Sequence, residues 1–170
     1  LNLKRPTVGL LNVGSEEQKG HEELREASAI LRQIDLPMEF IGFVEGDDIT
    51  AGTVDVIVTD GFSGNIALKA AEGTSRMFTF FLKEAFGSSI YSKIGYVLSK
   101  TAINQVRERM DPRKYNGAVF LGLNGIAVKS HGSTDSFGFA NAIGVAADMS
   151  EYGFLDKVKD ELRILHAEGE

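Results

Sequence analysis

At 170 residues the chain is the size of one domain and is long enough to bury a hydrophobic core. Its 43% hydrophobic and 25% charged residues exclude disorder as the default, and a net charge of -6 argues against a nucleic-acid binder, which needs clustered Lys and Arg. The absence of cysteine excludes disulfides, thiolate nucleophiles and cysteine–zinc sites, and it fits a reducing cytosol.

In chain order, residues 7–13 (TVGLLNV) are an almost unbroken apolar run, the pattern of a strand covered on both faces. Ser15, Glu16 and Glu17 follow Gly14 and suit a helix N-terminus, where carboxylates meet the positive end of the dipole. Leu24, Ala27, Leu31 and Ile34 recur at spacings of 3, 4 and 3, one face of a helix that Leu36-Pro37 should end. Residues 40–44 and 54–59 read as further strands, with a turn at Gly46-Asp47-Asp48. One helix is expected from about Asn65 to Ala85 and another from about Ile90 to Met110, stopped by Asp111-Pro112. Residues 118–123 and 126–129 suit short strands around Asn124-Gly125. A helix should open after Gly132-Ser133, with Phe137, Ala140, Ile143 and Ala147 on one stripe, and Gly153 should divide it from a last charged helix ending near His166. Strands alternating with helices predict an α/β fold with a mostly parallel sheet, in one domain or part of one. No apolar run is long enough to span a bilayer, and no signal-peptide pattern opens the chain.

In such folds ligands bind beyond the carboxyl ends of strands, so the turns after strands are the candidate sites. The first, around Asn12 and Gly14, lacks the glycine spacing of a dinucleotide fingerprint and is equally a plain strand-to-helix turn. The second is Thr59-Asp60-Gly61-Phe62-Ser63-Gly64-Asn65. There a strand delivers an acid, two glycines free the backbone to face an anion, and Ser63 and Asn65 add polar side chains; the alternative is a tight turn with Ser63 as helix cap. The third joins Leu123-Asn124-Gly125 to Lys129-Ser130-His131-Gly132-Ser133: a cation, a titratable imidazole and a helix start, a set able to hold phosphate and stabilise an oxyanion. His21, His131 and His166 have no metal-ligand spacing, and neither a nucleophile elbow nor a P-loop is present, so no metal or cofactor is expected.

Four of the eleven Phe fall between positions 78 and 86, and apolar residues continue through Ile90, Tyr91, Ile94, Tyr96, Val97 and Leu98. Six basic residues between Lys93 and Lys114 give a net of +4 in an acidic chain. Apolar helices beside a basic patch suit a dimer interface whose tip touches lipid, or an acidic carrier protein; a core helix pair with a solvated charged face is the alternative.

Taken together and in order, several stretches resemble one family over about residues 5–147. They are Arg5-Pro6-Thr7-Val8-Gly9-Leu10-Leu11-Asn12-Val13-Gly14, Lys19-Gly20, Phe40-Ile41-Gly42 with Glu45-Gly46, the 59–65 segment, Leu121-Gly122-Leu123-Asn124-Gly125 and the 129–133 segment. The family is the bacterial PlsX fatty acid/phospholipid synthesis proteins, phosphate acyltransferases that draw on acyl-(acyl carrier protein). His21 stands where that family often has Asn. The resemblance implies an α/β/α sandwich like that of phosphate acetyltransferases and isocitrate dehydrogenases, a protruding helical pair at about 77–110, and a homodimer. It implies transfer of a long acyl chain from acyl carrier protein to inorganic phosphate by a cytoplasmic enzyme with peripheral membrane contact from about Phe78 to Val106. Nothing here matches the Asp-Ala-Met-Gly-Gly-Asp loop of the family's first half, so residues 1–170 are expected to be its C-terminal half. On this reading Lys129, His131 and Asp60 are the catalytic candidates. Asn12, Gly14, Gly61, Ser63, Gly64, Asn65, Asn124, Gly132 and Ser133 are the substrate-binding candidates. Two other readings stand beside it: a nicotinamide-dependent dehydrogenase of related fold, and a non-catalytic dimerisation and membrane-docking module.

Overall fold

The computed structural model describes residues 3–132 and 134–168. The chain forms two compact units, Leu1–Glu84 and Ala85–Glu170.

In the first unit β1 (Thr7–Leu11), β2 (Glu39–Val44) and β3 (Val56–Val58) form a parallel sheet in the order β2-β1-β3. The apolar run of β1 makes it the central strand, and Val8 and Leu10 are buried with Phe43 and Val44 of β2. Between Val8 and Gly9 the register to β2 slips by one residue. Gly42, opposite Gly9, has φ 105, a conformation that glycine takes without strain at such a bulge. At the strands' amino ends Thr7 and Asp55 clasp each other: the Thr7 amide and hydroxyl donate to Asp55 Oδ2 at 2.8 and 2.7 Å, and the Asp55 amide donates to Thr7 Oγ1 at 2.8 Å. These bonds hold the Asp55 carboxyl below its usual value.

The helices of this unit depart from the sequence expectation at their ends. Helix α1 is Glu22–Leu31, so Ser15, Glu16 and Glu17 do not start it. Buried Asn12 explains the difference: its Nδ2 donates to the Lys19 carbonyl at 3.0 Å and its Oδ1 accepts the Val13 amide at 2.8 Å. That clasp folds the intervening residues into a loop, and the loop closes at Gly20 with φ 82. The helix also stops well short of Pro37. After β2 comes a four-residue helix, α2 (Asp48–Ala51), ended by Gly52 in the left-handed region. Strand β3 covers three residues rather than the expected six, and α3 runs Gly61–Gly87, starting four residues earlier than expected.

In the second unit α4 spans Ile90–Arg109, capped by Ser89, whose Oγ accepts the Ser92 amide at 3.0 Å. A 3-10 turn at Pro112–Tyr115 leads into a hairpin of β4 (Ala118–Val119) and β5 (Val128–Lys129). This pair is antiparallel and only two residues long on each side, a correction to the longer strands expected within a mostly parallel sheet. The turn between them consumes the rest: Gly122 has φ 80, and the Phe120 amide reaches the Ala127 carbonyl at 2.9 Å. Helix α5 (Ser136–Glu151) then buries Gly138 and Ala142, and Gly153, at φ 63, separates it from α6 (Phe154–Glu168). The parallel α/β sheet was expected, and so were two strands around Asn124-Gly125, but these pair with each other as a separate two-stranded sheet.

Candidate active site

Because β1, β2 and β3 are parallel, their carboxyl ends lie at one edge of the first unit. Asn12 and Gly14 follow β1 there, and Thr59 and Asp60 follow β3. Asn12 is 8% exposed, with its side chain committed to the 12–20 loop, so it is a builder of that edge. Gly14 is also buried, and a Cβ on it would crowd the Glu16 carboxylate.

The 59–65 segment is not the open glycine loop the sequence suggested. Gly61, Ser63, Gly64 and Asn65 form the first turn of α3, and Asp60 rather than Ser63 caps it. Asp60 Oδ1 accepts the Phe62 and Ser63 amides at 2.8 and 2.9 Å, and the Gly64 amide bonds the Asp60 carbonyl at 3.0 Å. The acid competes with any external anion for the positive helix end, because it already satisfies those donors. Bonds from the Ser63 hydroxyl and amide hold the Asp60 carboxyl below its usual range, so it is ionised at neutral pH. Gly64 is required for packing, since a Cβ would press on the Thr59 methyl at 2.5 Å.

In the second unit a buried amide organises the 129–132 segment. Asn116, 8% exposed, follows the 3-10 turn. Its Oδ1 accepts the His131 amide at 2.9 Å, while Nδ2 donates to Ser130 Oγ at 2.8 Å and the Gly138 carbonyl at 2.7 Å. Lys129 is held by β5, paired with Ala118, and its side chain is exposed. His131 and Gly132 are exposed just beyond the strand, and Asn124 is exposed in the hairpin turn. Ser133 lies outside the described residues.

Gly132 does not open the following helix. Asp135 caps α5, its Oδ1 accepting the Gly138 amide at 3.0 Å. Arg113 grips the Asp111 carboxylate through Nε and a terminal nitrogen, at 2.9 and 2.6 Å, and reaches Asp135 Oδ2 at 2.7 Å. It also lies over the Phe137 ring, 5.4 Å from the centroid. The guanidinium's hydrogen bonds push the Asp111 carboxyl down to about 2. Asp135 is lowered first by the Gly138 amide and then by Arg113.

Sequence reasoning did not single out Asn116, and it counted Arg113 only within the basic patch at 93–114. Asp135 carried a readable signal, an acid just before an apolar helical stripe. Asn116 carried a weaker one, a polar residue with Gly117 before an apolar run. Among the described residues no group of three or more His, Cys, Asp or Glu is arranged to hold a metal ion.

A model of the fatty acid synthesis protein family matches residues 1–157. Among similar proteins is a phosphate acyltransferase of Rhodospirillum centenum, 62% identical over 167 residues, which are 98% of this chain and 47% of that protein. Others are the phosphate acyltransferases of Paramagnetospirillum magneticum, 60% identical over 161 residues (95% of this chain, 46% of the relative), and Agrobacterium fabrum, 59% identical over 167 (98% and 47%). The chain spans about half the length of the curated relatives it matches. With that family match covering nearly all of it, the chain belongs to the fatty acid synthesis protein family.

Proposed function

We propose that the protein to which this chain belongs transfers an acyl group from acyl carrier protein to inorganic phosphate, and that residues 129–132 carry this chain's main share of the chemistry. The observation that supports this most is the exposed cation and imidazole of Lys129 and His131, presented on backbone that a β-ladder and a buried Asn hold in place. The names of the similar proteins, phosphate acyltransferases, supply the reaction class. Neither the dehydrogenase nor the non-catalytic reading draws support from those names.

A phosphate oxygen attacks the thioester carbonyl carbon; the C–O bond forms, the C–S bond breaks, and the carrier thiolate leaves and takes up a proton. Lys129 offsets phosphate charge and His131 orients phosphate or accepts its proton. Holding the two reactants in line supplies much of the rate, and no covalent enzyme intermediate is needed. Asp60 fixes the first turn of α3 by holding the Ser63 and Gly64 amides, which leaves contact with phosphate or the thioester oxygen to Gly61 and the Asn65 side chain. Asn12 and Gly14 shape the backbone after β1, Asn124 and Gly132 that of the hairpin turn and of the segment after β5, and Ser133 is a further substrate contact on this proposal.

The fold completed by the whole protein is, on this proposal, the sandwich of phosphate acetyltransferases and isocitrate dehydrogenases. The second half of α3 and α4 form a projecting helical pair that serves a homodimer interface and peripheral membrane contact at the cytoplasmic face. Broad apolar exposure supports this: Met77, Phe78, Phe80 and Phe81 of α3, and Tyr91, Val97 and Leu98 of α4, are each more than half exposed. No helix among the described residues is long and apolar enough to cross a membrane. Acyl-phosphate formation from acyl carrier protein thioester and phosphate by the full-length protein tests the assignment. Its absence, with the protein folded, contradicts it.

A further inference from the structure

Asn116 uses its side chain in both directions while buried. The His131 amide can only donate and the Gly138 carbonyl can only accept, so these two partners fix which end of the Asn amide is which. The Ser130 hydroxyl accepts from Asn116 Nδ2 at 2.8 Å, and the Thr134 hydroxyl lies at 3.4 Å from the same nitrogen. One side chain thus ties the turn before β4, the residue after β5 and the first turn of α5 to a single point. Gly117, next in sequence, has φ 124, and a Cβ there would crowd the Ala142 backbone and the Val145 side chain, so the neighbouring backbone has little room to shift. Lys129 is held differently, by its ladder to Ala118. The two candidate residues are two apart in sequence yet depend on separate supports.

We propose that Asn116 is a positioning residue that acts through His131: it sets the backbone from which the imidazole projects, leaving Lys129 to the strand. This rests on the reading of His131 as a site residue given above. Asn116→Asp is close to isosteric, but it removes the donor and sets a carboxylate against the Gly138 carbonyl. Relief of that repulsion swings the side chain and releases the His131 amide.

The test is a double-mutant cycle on the full-length protein, with Asn116→Asp, His131→Ala and the two combined, measured as acyl-phosphate formation against phosphate concentration. Asn116→Asp is expected to lower kcat roughly 10- to 100-fold while changing the KM for phosphate less than about threefold. The combined variant should be no slower than His131→Ala alone, because the positioning has nothing left to position. Multiplying losses would show a merely structural role and overturn the proposal, as would a folded Asn116→Asp with unchanged kcat. Normal turnover by His131→Ala would instead overturn the reading of the site itself. Ser130→Ala runs the same cycle with a milder change, removing one of the Asn116 partners. A loss of a few fold in kcat that vanishes in the His131→Ala background is expected there. If Asn116→Asp does not fold, that second cycle decides.

Discussion

Asp60 shows how one residue can be legible in type and misread in role. Its place at a strand end, before two glycines and a serine, marked it as functional, yet the sequence offered either an open anion-facing loop or a Ser63 cap, and not a cap by the acid. The carboxylate is the cap, through Phe62 and Ser63. Asp60→Ala should therefore lower the melting temperature, while Asp60→Asn, which keeps an accepting oxygen, should retain most of it. Equal loss in both variants would contradict the capping account. Asp111 makes a second prediction. Its folded carboxyl sits at about 2 against an ordinary 3.8, because Arg113 bonds it. Between those values the unfolded chain binds the proton more readily, so the ion pair's contribution is complete above about pH 4 and drains away as pH falls toward about 2. Denaturant titrations across that range should show the wild type losing its advantage over Asp111→Asn; an advantage that grows with acidity would contradict this. Asn116 was the residue least visible beforehand, since its partners lie 14 to 22 positions away and no local pattern encodes them.

Strands and long helices were largely readable because their apolar periods are strong: the sequence placed β1, β2, α4 and α5 close to where they stand. The boundaries that failed have local causes. Asn12 spends its amide on the loop that displaces the start of α1, Asp60 draws α3 forward, and the Gly122 turn shortens the hairpin. Packing between elements was not readable, and Gly9 is the clearest case. On β1 it gives Val44 of β2 room that a methyl would take, with a Cβ only 2.6 Å from Val44 Cγ1. Gly9→Ala is expected to cost about 1–3 kcal/mol by overpacking. Adding Val44→Ala should recover part of that loss, so the double variant is more stable than the sum of the singles implies. Strict additivity in urea denaturation would contradict the contact.

At the scale of the whole molecule, a small core and extensive apolar exposure go together. Five apolar side chains are buried among the described residues, each still 4–8% exposed, while Tyr91 and Leu98 of α4 stand 83% and 81% exposed. The proposed membrane contact assigns that surface a use, with Lys93 and Lys100 on the same helix favouring anionic lipid. Leu98→Glu should weaken co-sedimentation with anionic vesicles without loss of helicity, and added salt should weaken the wild type as well. Binding indifferent to both would count against a lipid role. The central claim concerns residues 129–132, and acyl-phosphate formation by full-length wild type, His131→Ala and Lys129→Ala addresses it most directly. The account predicts that each variant stays folded and loses roughly 100-fold or more in turnover; near-normal turnover in either would contradict it.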